Sequence, residues 1–489
     1  MANFLDRVIG AFSPETAARR EAWRQYLEQV RSYDAGETGR LNHNWPAVDD
    51  TAEHQDEPYR DRVRARARDM ERNSDIMNAV VSSFVRNVYG KGFTLRPKTG
   101  NAKVDAEILK DWKIWTRKEN FDITGQQSFN EMLRMCVRRK KVDGGVLLLK
   151  VFANDGRFLP YRIQAIEVDQ LDYTMDQLGL PGEECVRGGI RYDKYNRPMG
   201  YYIKHVGADG ESDPRPVYIP AEQVIAYWTK TRPTQVREMS DMAQTLTRIR
   251  DINQYMEAEA VKERVMACLS VFVKRTLPPS NLGRGTTITD EAGQQQYAGR
   301  TLTPGMIQYL NSGDDISVVN PAGQASDATA FVKQEMRLIA AGQGLSYESV
   351  SRDMSESNYS SARQGSIEDS LTYQSEIEAL IEVCNSIYET FILQLYATGK
   401  FGDRVDFQTH REEYMQHEWI RAPKPWVDPA KEATATATAL KTGQKTFAQV
   451  QAEGGRDWRD TVDEMADIIS YARKKGVDLE TMLTGEKKT

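Results

Sequence analysis

Between residues 331 and 396 the rhythm of apolar positions breaks and then resumes. Phe331, Met336, Leu338 and Ile339 fall at roughly helical spacing, and Gly342 and Gly344 supply a stop. A polar, serine-rich stretch with aromatic tips follows. Then Ile367, Leu371, Ile377, Leu380, Ile381, Cys384, Ile387, Tyr388, Phe391 and Leu395 keep a 3.6-residue period with no proline. The pattern predicts two helices flanking a loop over 343–359. At 1.5 Å per residue the second helix runs for about 50 Å, long enough to cross a whole assembly.

Elsewhere the period is helical at both ends of the chain and strand-like in the middle. Helices are predicted over 14–33, 59–72, from 73 to the turn at Gly90 and Gly92, over 104–117 with Trp112 and Trp115, and over 128–141. A polar loop holding Gly36, Gly39, Pro46 and Pro58 suits an arm wrapping a neighbour. After the turn at Asp143, Gly144 and Gly145 the period becomes two, predicting strands near 146–152, 161–168, 189–193, 199–206, 215–220 and 223–228. Ser240 is a predicted N-cap for a helix to about residue 266 carrying Met242, Leu246, Ile249, Ile252, Met256 and Ala260. A strand near 268–276, a Gly/Pro/Thr/Gln-rich region over 278–299 and a hairpin over 306–321 precede a helix over 326–341. Near the end, Asp428 and Pro429 open a helix that stops at Gly443, Thr446 and Gln449 form a capping box, and a last helix spans 457–475. The tail over 485–489 is expected to be disordered. The class is α+β, mainly helical.

With 489 residues the chain has material for two to four domains. Its hydrophobic content of 40% and charged content of 28% are those of a soluble globular protein. A net charge of −6 argues against gripping DNA from outside, which calls for a basic surface. Cys136, Cys185, Cys268 and Cys384 are far apart with no C-x-x-C pair, which speaks against a disulfide framework or zinc site and suits a reducing cytoplasm. No apolar run approaches bilayer length, so no membrane is expected. The first twelve residues are too short and too weakly basic for a secretory signal and read as a frayed terminus or a small amphipathic arm.

The segment IAAGQGLSYESVSRDMSESNYSSAR (339–363) resembles the most characteristic stretch of the portal proteins of tailed bacteriophages, lambda-like type. VRNVYGKGF at 85–93 resembles a turn in that family's N-terminal block, and WVDPAKE at 426–432 another of its elements. The resemblance implies a portal fold with wing, stem, clip and crown that assembles into a ring, here of twelve copies. The implied division is 1–58 N-terminal arm, 59–239 wing, 240–266 first stem helix, 267–325 clip and 326–342 second stem helix. Residues 343–359 are then the tunnel loop, 360–425 the long helix and wing return, and 426–489 the helical crown and tail. The implied function is a ring at one capsid vertex, a channel for packaging and ejecting double-stranded DNA without sequence preference. The ring also docks the terminase motor and later head–tail connector proteins. The implied partners include the major capsid protein or scaffold, and the implied location is the virion, after assembly in the bacterial host cytoplasm.

A conduit must touch DNA without holding it. The duplex carries a negative charge every ~1.7 Å of axis, and each phosphate neutralised by Lys or Arg raises affinity. Twelve chains of charge −6 together carry roughly −72, which suits sliding. Tunnel-loop residues expected to face the channel are Gln343, Ser346, Tyr347, Glu348, Ser349, Ser351, Arg352, Asp353, Ser355, Asn358 and Tyr359. Lys333 and Arg337 are candidates for the stem lumen, the alternative being pairs with carboxylates of an adjacent subunit. Lys274, Arg275 and Arg284 are the expected clip contacts. Arg60, Arg64, Arg68 and Arg72 form one helical stripe with Asp61, Asp69 and Glu71 beside it, readable as a nucleic-acid patch but better as a solvated or intersubunit face.

No enzyme is legible. There is no phosphate-binding G-x-x-x-x-G-K-[ST] loop, G-x-S-x-G elbow or H-E-x-x-H helix, and no cofactor is expected. His410 and His417 are two helical turns apart, roughly 10 Å, too far for one metal ion, so they read as surface helix residues. Asp314 and Asp315 read as a turn. The alternatives are another structural ring of the head–tail junction, an adaptor, or a nuclease or protease of the same packaging module.

Overall fold

The computed structural model describes residues 44–177, 179, 183–268, 328–401, 406–421 and 429–476, a few helical residues within 13–23, and four two-residue strands between 272 and 309. Residues 1–55 form one compact unit and 56–489 a second. In the first, Asp50 accepts a hydrogen bond from the Thr51 amide (2.7 Å) and faces the His54 ring (3.0 Å).

The helices are α1 (Ala52–Asn73), α2 (Asp75–Phe84), α3 (Ala102–Trp115), α4 (Lys118–Phe121), α5 (Phe129–Asp143), α6 (Leu246–Cys268), α7 (Ala328–Gly342), α8 (Tyr347–Ser351), α9 (Tyr359–Ala397), α10 (Arg411–Met415), α11 (Pro429–Lys441), α12 (Phe447–Glu453) and α13 (Trp458–Lys474). The strands are β1 (Phe93–Pro97), β2 (Gly145–Phe152), β3 (Tyr161–Ile166), β4 (Cys185–Arg187), β5 (Ile190–Tyr192), β6 (Pro198–Ile203), β7 (Val217–Pro220), β8 (Val224–Trp228), the two-residue β9 to β12, and β13 (His417–Arg421). One sheet has the order β3-β2-β8 and another β4-β5-β6-β7, all antiparallel. The description is mainly helical, as the periodicity predicts.

Local chemistry explains several boundaries. Ser128 and Glu131 close a capping box at the start of α5, and Gly144 ends it in the left-handed region (φ 91°). Thr446 and Gln449 box α12, Asp457 caps α13, and Gly90 (φ 59°) and Gly92 (φ 103°) turn the chain after α2. Ser240 caps a short turn, its hydroxyl accepting from the Met242 amide at 3.3 Å, while the regular helix α6 starts only at Leu246. Pro429 opens α11; Asp428 lies outside the described residues.

The core gathers on Trp112. Its ring lies 5.1–6.0 Å from those of Trp115, Phe129, Tyr388, Phe391 and Trp419, so it joins α3, α5, α9 and β13. At 1.5 Å per residue α9 extends about 58 Å, and its two halves differ. From Tyr373 onward it buries Ile377, Leu380, Cys384, Ile387, Phe391 and Leu395, whereas Ile367 and Leu371 in its first half are exposed. The strands β1 and β13, absent from the period-based reading, pair antiparallel from Phe93–Arg421 to Pro97–His417.

Of the expected hairpin over 306–321 only Gln308–Tyr309 lies within the described residues. Gln308–Tyr309 (β12) runs parallel to Phe272–Val273 (β9), while Ile288–Thr289 (β10) pairs antiparallel with Gln295–Gln296 (β11). A parallel pair needs a long connection rather than a tight turn, which the chain between 273 and 308 supplies. Lys274, Arg275, Arg284, Asp314 and Asp315 lie outside the described residues.

Candidate nucleic-acid interface

Two struts meet near the base of α6. Arg248 of α6 binds Glu335 of α7 at 2.8 Å, and Tyr255 packs on Phe331 with ring centroids 4.8 Å apart. At the end of α7 the amide of Gln343 donates to the Asp241 carbonyl (3.1 Å) and the Thr245 hydroxyl (3.2 Å). Gly344 turns the chain at φ 67°, and its carbonyl accepts from Thr372 of α9 at 2.7 Å.

The following residues are not one continuous loop, as expected for 343–359. Ser346 caps the one-turn helix α8, and Val350 is buried beneath it. Asp369 of α9, itself buried, accepts from the Ser346 amide (2.6 Å), the Ser346 hydroxyl (2.8 Å) and the Ser349 hydroxyl. A carboxylate at a helix start satisfies amides that have no partner within the helix. The first half of the segment is therefore clasped to α9.

From Arg352 to Asn358 the chain emerges: all but Ser357 are exposed. Arg352 ends α8 in the left-handed region (φ 59°), unusual for a side chain of its size. Asp353 accepts from the Ser355 amide at 3.0 Å; the Ser355 hydroxyl first and this amide second hold its carboxyl below the usual range, with Lys333 adding to the effect. Asn358 and Ser361 box the start of α9. Tyr347, Glu348, Ser349 and Ser351 are half-buried, Ser355 is exposed and Tyr359 begins α9. Lys333 and Arg337 pair within the chain: Glu356 contacts Lys333 and lies 3.7 Å from Arg337.

Burial first and the positive charge of Arg352 second hold the Arg86 guanidinium below the ordinary arginine value. Neither Arg86 nor Glu356 is marked by sequence periodicity, because the charge coupling of Arg86 to Arg352 and the reach of Glu356 to α7 are made by the fold.

The arginine stripe of α1 is corrected. Arg60 donates to the Glu238 carbonyl at 2.9 Å, and Arg64 binds Asp169 at 2.9 Å and Glu238 at 3.1 Å. Arg68 binds Asp143 and Asp169, each at 2.7 Å. The stripe closes an ion network within the chain, and only Arg72 at its end is strongly exposed. His417 is likewise not on a surface helix: it sits half-buried in β13, 3.0 Å from Asn385 and 2.8 Å from the Met415 carbonyl, while His410 is exposed before α10. Cys136, Cys185 and Cys384 are free thiols. Among the described residues no group of three or more His, Cys, Asp or Glu is placed to hold a metal ion, and no helix is long and apolar enough to cross a membrane.

A strut, a clasped turn, an exposed polar crossing and a long helix thus follow one another over 328–397. The sequence model of the family described as phage portal protein, lambda family, matches residues 38–376, more than half of the chain, and the protein belongs to that family. It is similar to the probable portal protein of Halomonas phage phiHAP-1, 25% identical, with 92% of this chain and 88% of that protein covered. Portal protein B of Escherichia phage lambda is 21% identical over 82% of this chain and 81% of its own length, and the portal protein of Escherichia phage N15 is 21% identical over 82% and 83%. A chain in the neck of a native gene transfer agent particle computed with C12 symmetry aligns at 12% identity with a TM-score of 0.40, covering 80% of this chain and 93% of that one. The family makes this a structural protein of the virion, and no catalytic activity is indicated by it.

Proposed function

We propose that copies of this chain close into a ring, twelve in number, at one vertex of the capsid, and that double-stranded DNA enters and leaves through its bore. Family membership over 38–376 carries the reading. In it, α6 and α7 are the stem struts, 343–359 the tunnel segment and 267–325 the clip, with the wing over 59–239 and 360–425 and the crown over 426–489. The terminase motor docks first on the clip, with Lys274, Arg275 and Arg284 as contacts, and connector proteins follow; capsid protein or scaffold meets the outer face. Assembly takes place in the host cytoplasm.

The exposed crossing from Arg352 to Asn358 is the part that meets DNA. Its polar side chains offer contacts that form and break, and the exposed Arg352 supplies positive charge that centres a duplex without trapping it. Nothing in such contacts reads base edges, so passage is independent of sequence.

Replacing Arg352 by Glu is expected to leave rings intact and to impair completion of packaging, measured as the fraction of DNA-filled particles. Normal filling by that variant would contradict the role given to the segment.

A further inference from the structure

Lys333 and Arg337 stand one turn apart on α7, and both address the same ring. The Lys333 ammonium and the Arg337 guanidinium are each 5.6 Å from the centroid of Tyr347. The acid laid across them comes from the exposed crossing: Glu356 contacts Lys333 and lies 3.7 Å from Arg337. Asp353, from the same stretch, accepts from the Tyr347 hydroxyl at 3.5 Å and feels the Lys333 charge. One oxyanion shared by a lysine and an arginine, both held beside an aromatic ring, is the arrangement that also receives a phosphate, with Arg supplying a planar fork and Lys a point charge.

The occupant is weakly held. Glu356 is 69% exposed, and an exposed ion pair is worth little and is screened by salt. Lys333, by contrast, is only 18% exposed, so one cation is built into the fold while its partner is surrounded by water. A polyanion arriving at the exposed crossing competes for the cations on favourable terms, because it releases counterions as it binds.

We propose that Lys333 and Arg337, positioned by the Tyr347 ring, form a binding site for a backbone phosphate of duplex DNA, and that the Glu356 carboxylate fills it as a tethered surrogate when DNA is absent. This rests on the channel reading above and adds an exchange to it. Each phosphate that enters displaces a carboxylate, which stays nearby and returns as the phosphate leaves. The difference in energy between occupied and vacated states is then small, which is what low-friction passage requires. The same surrogate keeps an empty ring from seizing stray DNA.

The test compares duplex binding by the purified full-length protein across a salt series, using a short mixed-sequence DNA duplex as probe. Glu356→Gln is expected to bind several-fold more tightly than the parent, with a salt dependence steeper by about 0.9 for each phosphate gained. Combining it with Lys333→Ala and Arg337→Ala is expected to abolish the gain. Glu368→Gln, an equal charge change on the exposed start of α9, is expected to leave binding unchanged. Unaltered binding by Glu356→Gln, or a gain that survives loss of both cations, overturns the surrogate. If Arg352→Glu particles fill poorly while Glu356→Gln binds like the parent, the surrogate alone fails. If Arg352→Glu particles fill normally, the channel reading itself is at fault.

Discussion

Gly144 illustrates how tightly single positions are specified where the struts leave the sheet. A Cβ there would lie 2.4 Å from both the carbonyl carbon and oxygen of Met239, backbone atoms that cannot swing aside, and the residue is left-handed (φ 91°). Gly399 is also left-handed (φ 69°), with nothing within 4 Å of the added atom. Gly399→Ala is therefore expected to cost about 1 kcal/mol from backbone strain alone. Gly144→Ala is expected to cost about 3 kcal/mol, strain and overpacking together. Denaturant midpoints of the two variants check this; equal losses would mean the Met239 approach is not a constraint. The same scale explains what the sequence hides at the crossing. Arg352 is visible as a cation, but its left-handed backbone arises only from the turn that Ser346, Ser349 and Asp369 build.

At the scale of elements, the joint between α5, α9 and the turn that precedes α6 is electrostatic. Lys140 is 1% exposed and reaches Glu376 at 2.7 Å and Asp241 at 3.1 Å, while Lys141 stands 3.3 Å from Asp241 with its ammonium over the Phe84 ring. Burial pushes the Glu376 carboxyl up, but Lys140 and Lys141 more than reverse this and leave it below the usual carboxylate range. Burial likewise works against the Lys140 charge, and Asp241 and Glu376 overcome it, leaving Lys140 above its ordinary value. A depressed carboxyl stabilises the fold above its unfolded pKa and loses that contribution as pH falls through the folded one. A raised lysine contributes below its unfolded pKa and loses the contribution as pH rises through the folded one. The joint is thus fully formed between the carboxylate and lysine ranges. Glu376→Gln is expected to cost about 3 kcal/mol at neutral pH and to flatten the acid side of the stability curve. A parallel shift at every pH would contradict the pairing.

Elements differ in how plainly the chain announces them, and the reason is the reach of the signal. The long helix α9 is written in its own period, from Ile377 to Leu395, and the capping pairs at Thr446–Gln449 and Ser128–Glu131 are local. The turn α8 has five residues, one buried apolar side chain and a capping carboxylate from α9, so no window of sequence contains it. The strands β1 and β13 stabilise each other across some three hundred residues of chain, and neither has length enough to declare itself alone. The arginines of α1 look like a surface stripe because their carboxylates at Asp143, Asp169 and Glu238 are far along the chain.

At the scale of the whole molecule, net charge and local charge divide the work. An acidic chain repels DNA in general, so in the proposed channel contact falls to a few cations: Arg352, and Lys333 with Arg337 under Glu356. The first half of the 343–359 segment is fastened to α9, and the exposed half is the part that the proposed channel presents to a duplex. In the proposed ring, many copies bring that half to a common axis. Electron microscopy of the purified protein, reconstructed with its symmetry counted from the images, tests this most directly. The account predicts rings with a central hole, twelve-fold, with residues 352–358 on its rim. Rings whose rim is formed elsewhere, with these residues remote from the axis, or a protein that forms no ring, would contradict it.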